Sequence, residues 1–380
     1  MTADLPRIVD AGIAAIARGD GAAGREAFET IVASGQATPQ AWLFLAQACF
    51  MLDDRDRANA ALDVVLAADR ANLDALVMRG ELLARAGDDR AAVSWFEAAV
   101  RAAPEGVEFP PATAQALGHA RAALAMAAGK FDAHLRRALR HAGVDPAAVH
   151  PRFAEALAIS AGVAQPYPQA PTNFFYPRLA AIPFHDPADF AWAGAIAAQT
   201  PAIRAEVEAV IAAQAGLRPY VERPVDRPSK EHSLLGDARW SAYHLWEGGA
   251  PVTAAHAACP VTVAAVASAP IPHIAGRSPM ALFSILQPGT HIPPHNGMLN
   301  TRLIVHIPLI VPPGCRLRVG NEVRTVEAGV PLIFDDSIEH EAWNDGDAPR
   351  AILLFEVWRP ELTATERTAL TAMFDAVASY

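Results

Sequence analysis

The chain has 380 residues, enough for two or three domains. Hydrophobic residues make up 52% and charged residues 19%, which excludes a disordered chain and allows sizeable cores. The net charge is −10 and no stretch is rich in Lys or Arg, so binding to a nucleic-acid backbone, which needs a local cationic footprint, is disfavoured. Cys49, Cys259 and Cys315 are odd in number and far apart. They build neither a disulfide framework nor a CxxC zinc cage, and they fit a reducing cytoplasm. The opening MTADLPRIVDAG has acids where a signal peptide needs cations, and no apolar run reaches the ~18 residues that span a bilayer. The expectation is a soluble, cytoplasmic protein without a membrane span.

Residues 1–104 repeat with a period of 34. When Leu73–Pro104 is laid over the stretch from Pro39, Leu76 falls on Trp42, Gly80 on Ala46, Ala92 on Ala58 and Phe96 on Leu62. A weaker copy from Leu5 puts Gly12 and Phe28 on the same ruler, and Ala99 and Pro104 complete the last copy. Small residues at fixed points let paired helices approach, and large ones fill the groove between them. The pattern resembles three tetratricopeptide repeats, an array that presents a face to a peptide or protein partner. An unrelated Ala-rich bundle is the plainer alternative.

Residues 111–163 keep helical spacing (Leu117, Ala120, Leu124, Leu135, Leu139) and read as a cap on the array, giving a helical domain over 1–163 and a second domain over 164–380. Residues 166–186 hold five prolines and five aromatics and read as an extended linker. A helix is expected over 187–215. From about 281 the runs ALFSILQ, LNTRLIVHIPLIVP, RLRVGNEVRTVE, PLIFDDS and AILLFEVW are short, apolar and bounded by turn residues, as in an antiparallel double-sheet jelly roll. The fold class is thus α+β in two domains, a helical repeat array followed by a double-stranded β-helix. The tail reads as a closing helix capped by Thr363 or Thr365.

Four of the 13 histidines, His291, His295, His306 and His340, fall in the β region near Arg302, Asp336 and Arg350. Imidazole suits Zn, Cu, Fe and Ni. The spacing matches neither HExxH nor H-x-D/E, and no glutamate sits beside a histidine pair at one-turn spacing, which disfavours a zinc hydrolase.

The segments HIPPHNGMLNTRLIVHIPL, GCRLRVGNEVRTVEAG, LIFDDSIEHEAWND and RAILLFEVWRPELT resemble the aspartyl/asparaginyl β-hydroxylase family. The resemblance runs over roughly 170–375 and is strongest over 281–362. It implies a 2-oxoglutarate-dependent, non-haem Fe(II) oxygenase that consumes O2 on a jelly-roll fold. By this resemblance His295 and His340 match the iron-binding histidines, in a family that lacks the carboxylate ligand. Asp336 matches a residue that orients water beside the metal. Ser284 and Arg350 match the pair that grips the distal carboxylate of 2-oxoglutarate, His306 a partner of its other carboxylate, and Arg302 a residue that binds the carboxylate of an aspartyl substrate. The chain departs from vertebrate members at Ile304, where they carry a second cosubstrate-binding arginine.

From the residues alone other readings stand beside these. His291 reads as structural, and Trp240 and Trp343 as core aromatics. Arg302 could pair with Asp335 or Glu327, and Asp335-Asp336-Ser337 is also an ordinary turn signature. The function implied is β-hydroxylation of aspartyl or asparaginyl residues in a peptide or protein docked by the array, or of a small amino-acid-like substrate. Acyl chains are disfavoured by the lack of a membrane segment. Two rival classes are a non-catalytic repeat scaffold, and a cupin-like metal enzyme that uses His291, His295, His306 and His340 without 2-oxoglutarate.

Overall fold

A computed structural model describes residues 4–104, 106–223 and 233–379, in two compact units that divide between Gln165 and Pro166.

The first unit is helical: α1 (Leu5–Ala17), α2 (Gly21–Ala33), α3 (Pro39–Met51), α4 (Arg55–Ala68), α5 (Leu73–Arg85), α6 (Asp89–Ala102), α7 (Pro111–His141), α8 (Pro146–Val149) and α9 (Pro151–Ser160). The 34-residue period appears as three helical hairpins. Asp20, Asp54 and Asp88 each accept the backbone N–H three residues on and so cap the second helix of their hairpin, while Thr38 and Asn72 cap the first helices of the later two. Before each aspartate cap the chain turns through a left-handed residue, Gly19, Asp53 or Gly87. Close approach within a hairpin depends on the small positions: a Cβ on Gly80 would lie 2.6 Å from the Phe96 ring, and one on Gly12 would lie 2.8 Å from Phe28. No helix among the described residues is long and apolar enough to cross a membrane.

The second unit begins with β1 (Phe184–His185), a 3-10 turn at Pro187–Asp189, α10 (Ala193–Ala197), α11 (Thr200–Ala213), β2 (Arg218–Pro219), β3 (Trp240–Glu247), β4 (Ala250–Pro251), α12 (Thr253–Ala258) and α13 (Pro260–Ala267). It continues with β5 (Ala281–Leu286), β6 (Thr290–His295), β7 (Arg302–Ile310), β8 (Cys315–Val319), β9 (Glu322–Thr325), β10 (Leu332–Phe334), β11 (His340–Asn344) and β12 (Arg350–Trp358), and closes with α14 (Ala364–Ala378). Thr363 caps α14 in a reciprocal box with Glu366. The strands form an antiparallel jelly roll of two sheets, ordered β1-β10-β7-β12-β5-β3-β2, with β4 beside β3, and β6-β11-β8-β9.

The large sheet is buried on both faces, which is why β5, β7 and β12 are apolar almost throughout. Alternation sorts their side chains. Phe283, Ile285, Leu303, Val305, Ile307, Leu353 and Phe355 pack with α10, α11 and α13 residues such as Ile196, Ile203 and Val266. Leu282, Leu286, Ile304, Ile352 and Leu354 face Ile292, Leu317 and Ala342 of the small sheet.

Three expectations are corrected. Residues 166–186 are not a free linker but a strap laid on the jelly roll. Tyr167 packs, partly buried, against the core between the sheets, Thr172 donates to the Gly297 carbonyl at 2.9 Å, and β1 pairs with β10. Proline forbids helix there but leaves neighbouring N–H groups free to pair. The helix expected over 187–215 is divided into the turn, α10 and α11, with Thr200-Pro201 starting the last segment. The sheet also begins earlier than residue 281, since β3 pairs along β5 with a register shift between His244 and Trp246 that breaks the alternation of WSAYHLWE.

The strap is held by a fully buried ion pair. Arg359 donates to Asp335 at 2.7 Å and to the Ala180 carbonyl at 2.5 Å, and Gln169 donates to Asp335 at 2.6 Å. Asp335→Asn removes the fully buried one of the two carboxylates that pair with Arg359, leaving the more exposed Glu361, and should cost about 3 kcal/mol, the low end for a broken buried pair. Chemical denaturation of the full chain measures this, and an unchanged midpoint contradicts it.

Candidate active site

The even-numbered residues of the large sheet's strands converge on a cavity of about 280 Å³ between the two sheets. Trp240 of β3, Ser284 of β5, Arg302, Ile304 and His306 of β7 and Arg350 of β12 all line it, as do His295 and His340 from the small sheet and Asp336 from the loop before β11. All seven residues singled out from the sequence therefore share one cavity.

His295 and His340 face each other through a defect in the ladder. β6 is an edge strand, so it tolerates Pro293 and Pro294. Its register against β11 slips by one residue between the Ala342–Ile292 pair and the His340–His295 pair. This bulge returns His295 to the face already occupied by Ile292. The two imidazole centroids are 4.1 Å apart. Nδ1 of His295 lies 2.8 Å from the Pro293 carbonyl and Nδ1 of His340 lies 3.1 Å from the Ile338 carbonyl. A carbonyl requires a donor, so each Nδ1 carries the proton and each Nε2 keeps its lone pair. That is the tautomer a metal needs. Burial, reinforced by His295, pushes the His340 pKa down to about 3, so the ring stays neutral. The pair fits Fe(II) as two nitrogen donors. Among the described residues no group of three or more His, Cys, Asp and Glu is placed to hold a metal.

Arg350 is 2% exposed, and no carboxylate or other acceptor among the described residues pairs with it. Burial pulls its pKa down to about 10. The buried Arg359 is compensated by Asp335 and Glu361, and the partly buried Arg302 and Arg318 by Asp336 with Glu356 and by Glu339 with Glu341. Ser284 accepts a 3.0 Å hydrogen bond from the Trp240 indole, which leaves its own O–H free to donate. Burial, together with Arg350 and His340, keeps His306 neutral and its pKa well below the usual range.

Arg302 pairs with neither Asp335 nor Glu327. It donates to Glu356 and, at 3.2 Å, to Asp336. Burial opposes its charge, but the two carboxylates more than offset this and raise its pKa. Burial pushes Asp336 up to about 6 against the pull of Arg302. Its carboxylate is thus tied to Arg302.

His291 and Trp343 lie on the opposite face of the small sheet, where the rings stack at 4.9 Å and His291 bonds to Glu341 at 2.7 Å. The four-histidine ligand set is therefore excluded. Trp240 is a cavity wall, with Tyr220 stacked on it at 3.9 Å. Tyr220 and Gly297 carry no signal in the sequence that marks them for this site. Glu356, an acid inside the apolar run AILLFEVW, was the one visible anomaly.

Residues 197–360, all within the C-terminal unit, match the family model described as Aspartyl/Asparaginyl beta-hydroxylase. The chain is 39% identical over 146 residues to the human aspartyl/asparaginyl beta-hydroxylase, covering 38% of this chain and 19% of the human protein. It is 39% identical over 191 residues to an ornithine lipid ester-linked acyl 2-hydroxylase of Rhizobium tropici, covering 50% of this chain and 64% of that protein. The matched segment thus spans less than two thirds of either relative. A solved tetratricopeptide domain of Aspergillus fumigatus Sgt2 aligns with 32% of this chain and 78% of that chain at 18% identity and a TM-score of 0.27, a likeness too slight to carry weight.

The neutral state of His340 predicts an acid response. Its folded pKa lies below the ordinary 6.5, so protons favour the unfolded chain. The associated stability is complete above about pH 6.5 and is lost as the pH falls, about 2 kcal/mol of it between pH 7 and 5. Asp336, with its pKa raised, opposes this by gaining stability as the pH falls through 6. In the metal-free protein, His340→Gln should flatten the decline by about 2 kcal/mol in denaturant unfolding at the two pH values. A decline that the substitution leaves unchanged contradicts a neutral His340.

Proposed function

We propose that the C-terminal unit is a 2-oxoglutarate- and Fe(II)-dependent hydroxylase that acts on a peptide, a protein or an amino-acid-like molecule, with the β-carbon of an aspartyl or asparaginyl group as the site of reaction. The observation that carries this reading is the uncompensated Arg350. A buried guanidinium with no counter-charge among the described residues costs several kcal/mol, and an anionic ligand in the adjoining cavity would relieve that cost.

His295 and His340 would hold Fe(II) through their Nε2 atoms. Bound there, the metal would supply C–H hydroxylation by O2 coupled to oxidative decarboxylation of 2-oxoglutarate to succinate and CO2. The chain's own residues bind and position. Arg350 offers a fork of N–H donors to the distal carboxylate, and the free O–H of Ser284 adds a further donor. His306, being neutral, offers one N–H to the other carboxylate, and Ile304 adds no charge there. The Tyr220–Trp240 stack and the Phe334 edge against His306 and His340 keep that wall apolar and exclude water. No side chain is required as a nucleophile.

In the repeat unit a groove of about 1320 Å³, lined by Arg85, Phe96, Met126 and Phe131 among others, supports a role for the array in docking a peptide or protein. The three cysteines, all free and buried, support work in a reducing compartment such as the cytoplasm.

The test is anaerobic loading of the full chain with Fe(II) and 2-oxoglutarate, followed by measurement of succinate after O2 is admitted. Succinate should form even without substrate, and His295→Ala or His340→Ala should lower it by about 100-fold or more. Turnover that survives either substitution, or its absence from an iron-loaded wild type, contradicts the proposal.

A further inference from the structure

The substrate class can be narrowed, on the basis of the hydroxylase reading above. By resemblance Arg302 would receive a substrate carboxylate, yet both terminal nitrogens of its guanidinium are held by carboxylates, and only its buried Nε is without a partner among the described residues. Glu356 is fully buried, is fixed through its other oxygen by the Met280 amide at 3.0 Å, and binds one nitrogen of Arg302. Asp336 binds another. With all three ionised the cluster carries a net charge of −1, so an entering carboxylate would be a third anion against one cation. Ile304 lines the same cavity without charge, and Arg350, the other described arginine lining it, is the one assigned above to the cosubstrate.

Asp336 is 5% exposed and lines the cavity, and its Oδ1 is buried with no hydrogen-bond partner among the described residues. An acceptor left empty in this way costs about 1–3 kcal/mol. Gly297 makes room for the carboxylate, since a Cβ there would fall 2.0 Å from Oδ2 and force Asp336 to move. The Arg302 cluster thus combines a surplus negative charge with an unpartnered acceptor on the cavity wall.

We propose that Asp336 selects the substrate, and that the group flanking the hydroxylated carbon is an N–H donor such as a carboxamide, bonded to Oδ1, and not a carboxylate. A site built around a hydrogen bond discriminates strongly against an isostere that cannot make it, because the buried group is then left unpaired. A carboxylate adds repulsion as well.

The experiment uses matched pairs that differ only in this group, asparagine against aspartate and glutamine against glutamate, each free and as the central residue of a blocked tripeptide. Succinate release and the hydroxylated product are measured with the Fe(II)- and 2-oxoglutarate-loaded full chain. The amide member of at least one pair should raise succinate release about tenfold more than its acid. Glu356→Gln, which removes one of the two acids from Arg302, should shrink that ratio. An acid that stimulates as well as its amide overturns the inference. So does a panel in which no amide stimulates while substrate-free succinate release continues. Loss of the substrate-free release as well would instead overturn the hydroxylase reading, and the inference with it.

Discussion

A sheet covered on both faces has to sort its side chains by parity, and the rest of this site follows from that constraint. On β5, β7 and β12 the odd-numbered residues pack under helices, and the even-numbered ones point between the sheets. A polar residue at an even position is therefore committed to the cavity. Ser284, Arg302, His306 and Arg350 are those exceptions, with Glu356 buried behind Arg302, and each replaces apolar contact that its neighbours would otherwise make. A polar group buried at such cost in an otherwise apolar strand needs a partner, supplied either by the fold or by a ligand.

Charge accounting separates the two cases. Arg359 and Arg318 are matched by carboxylates and belong to the structure. Arg359 in particular fastens the strap of residues 166–186 through Asp335. Arg302 is over-matched, and Arg350 is unmatched among the described residues. Two adjacent aspartates thus serve different ends: Asp335 turns to the strap and is consumed by the fold, while Asp336 turns to the cavity and keeps one oxygen free. The small sheet contributes the histidine pair, and it does so through a bulge on an edge strand, the one place where two consecutive prolines cost the ladder little.

Much of the fold was legible in the chain because the forces involved are local or periodic. The 34-residue repeat is written in Gly12, Gly80, Phe28 and Phe96, and the structure shows each glycine lying against its phenylalanine. The strands from Ala281 onward announce themselves because burial on both faces leaves unbroken apolar runs. What could not be read rests on contacts between distant segments. The strap looks like a linker until Asp335 and Asn300 are placed beneath it. β3 is obscured by its own register shift. The partners of Arg302 come from residues 34 and 54 positions away, so spacing alone offered the wrong acids. The histidine pair was legible only through family resemblance, since the bulge that brings His295 opposite His340 leaves no periodic trace.

The most direct measurement of the central claim, that Arg350 awaits the distal carboxylate of 2-oxoglutarate, is anaerobic calorimetric titration of 2-oxoglutarate into the Fe(II)-loaded full chain and its Arg350→Met variant. One molecule should bind per wild-type chain, with affinity about 100-fold weaker in the variant, as expected for loss of a buried charge-assisted pair. Equal affinity in the two proteins would contradict the claim and leave the buried guanidinium without a role.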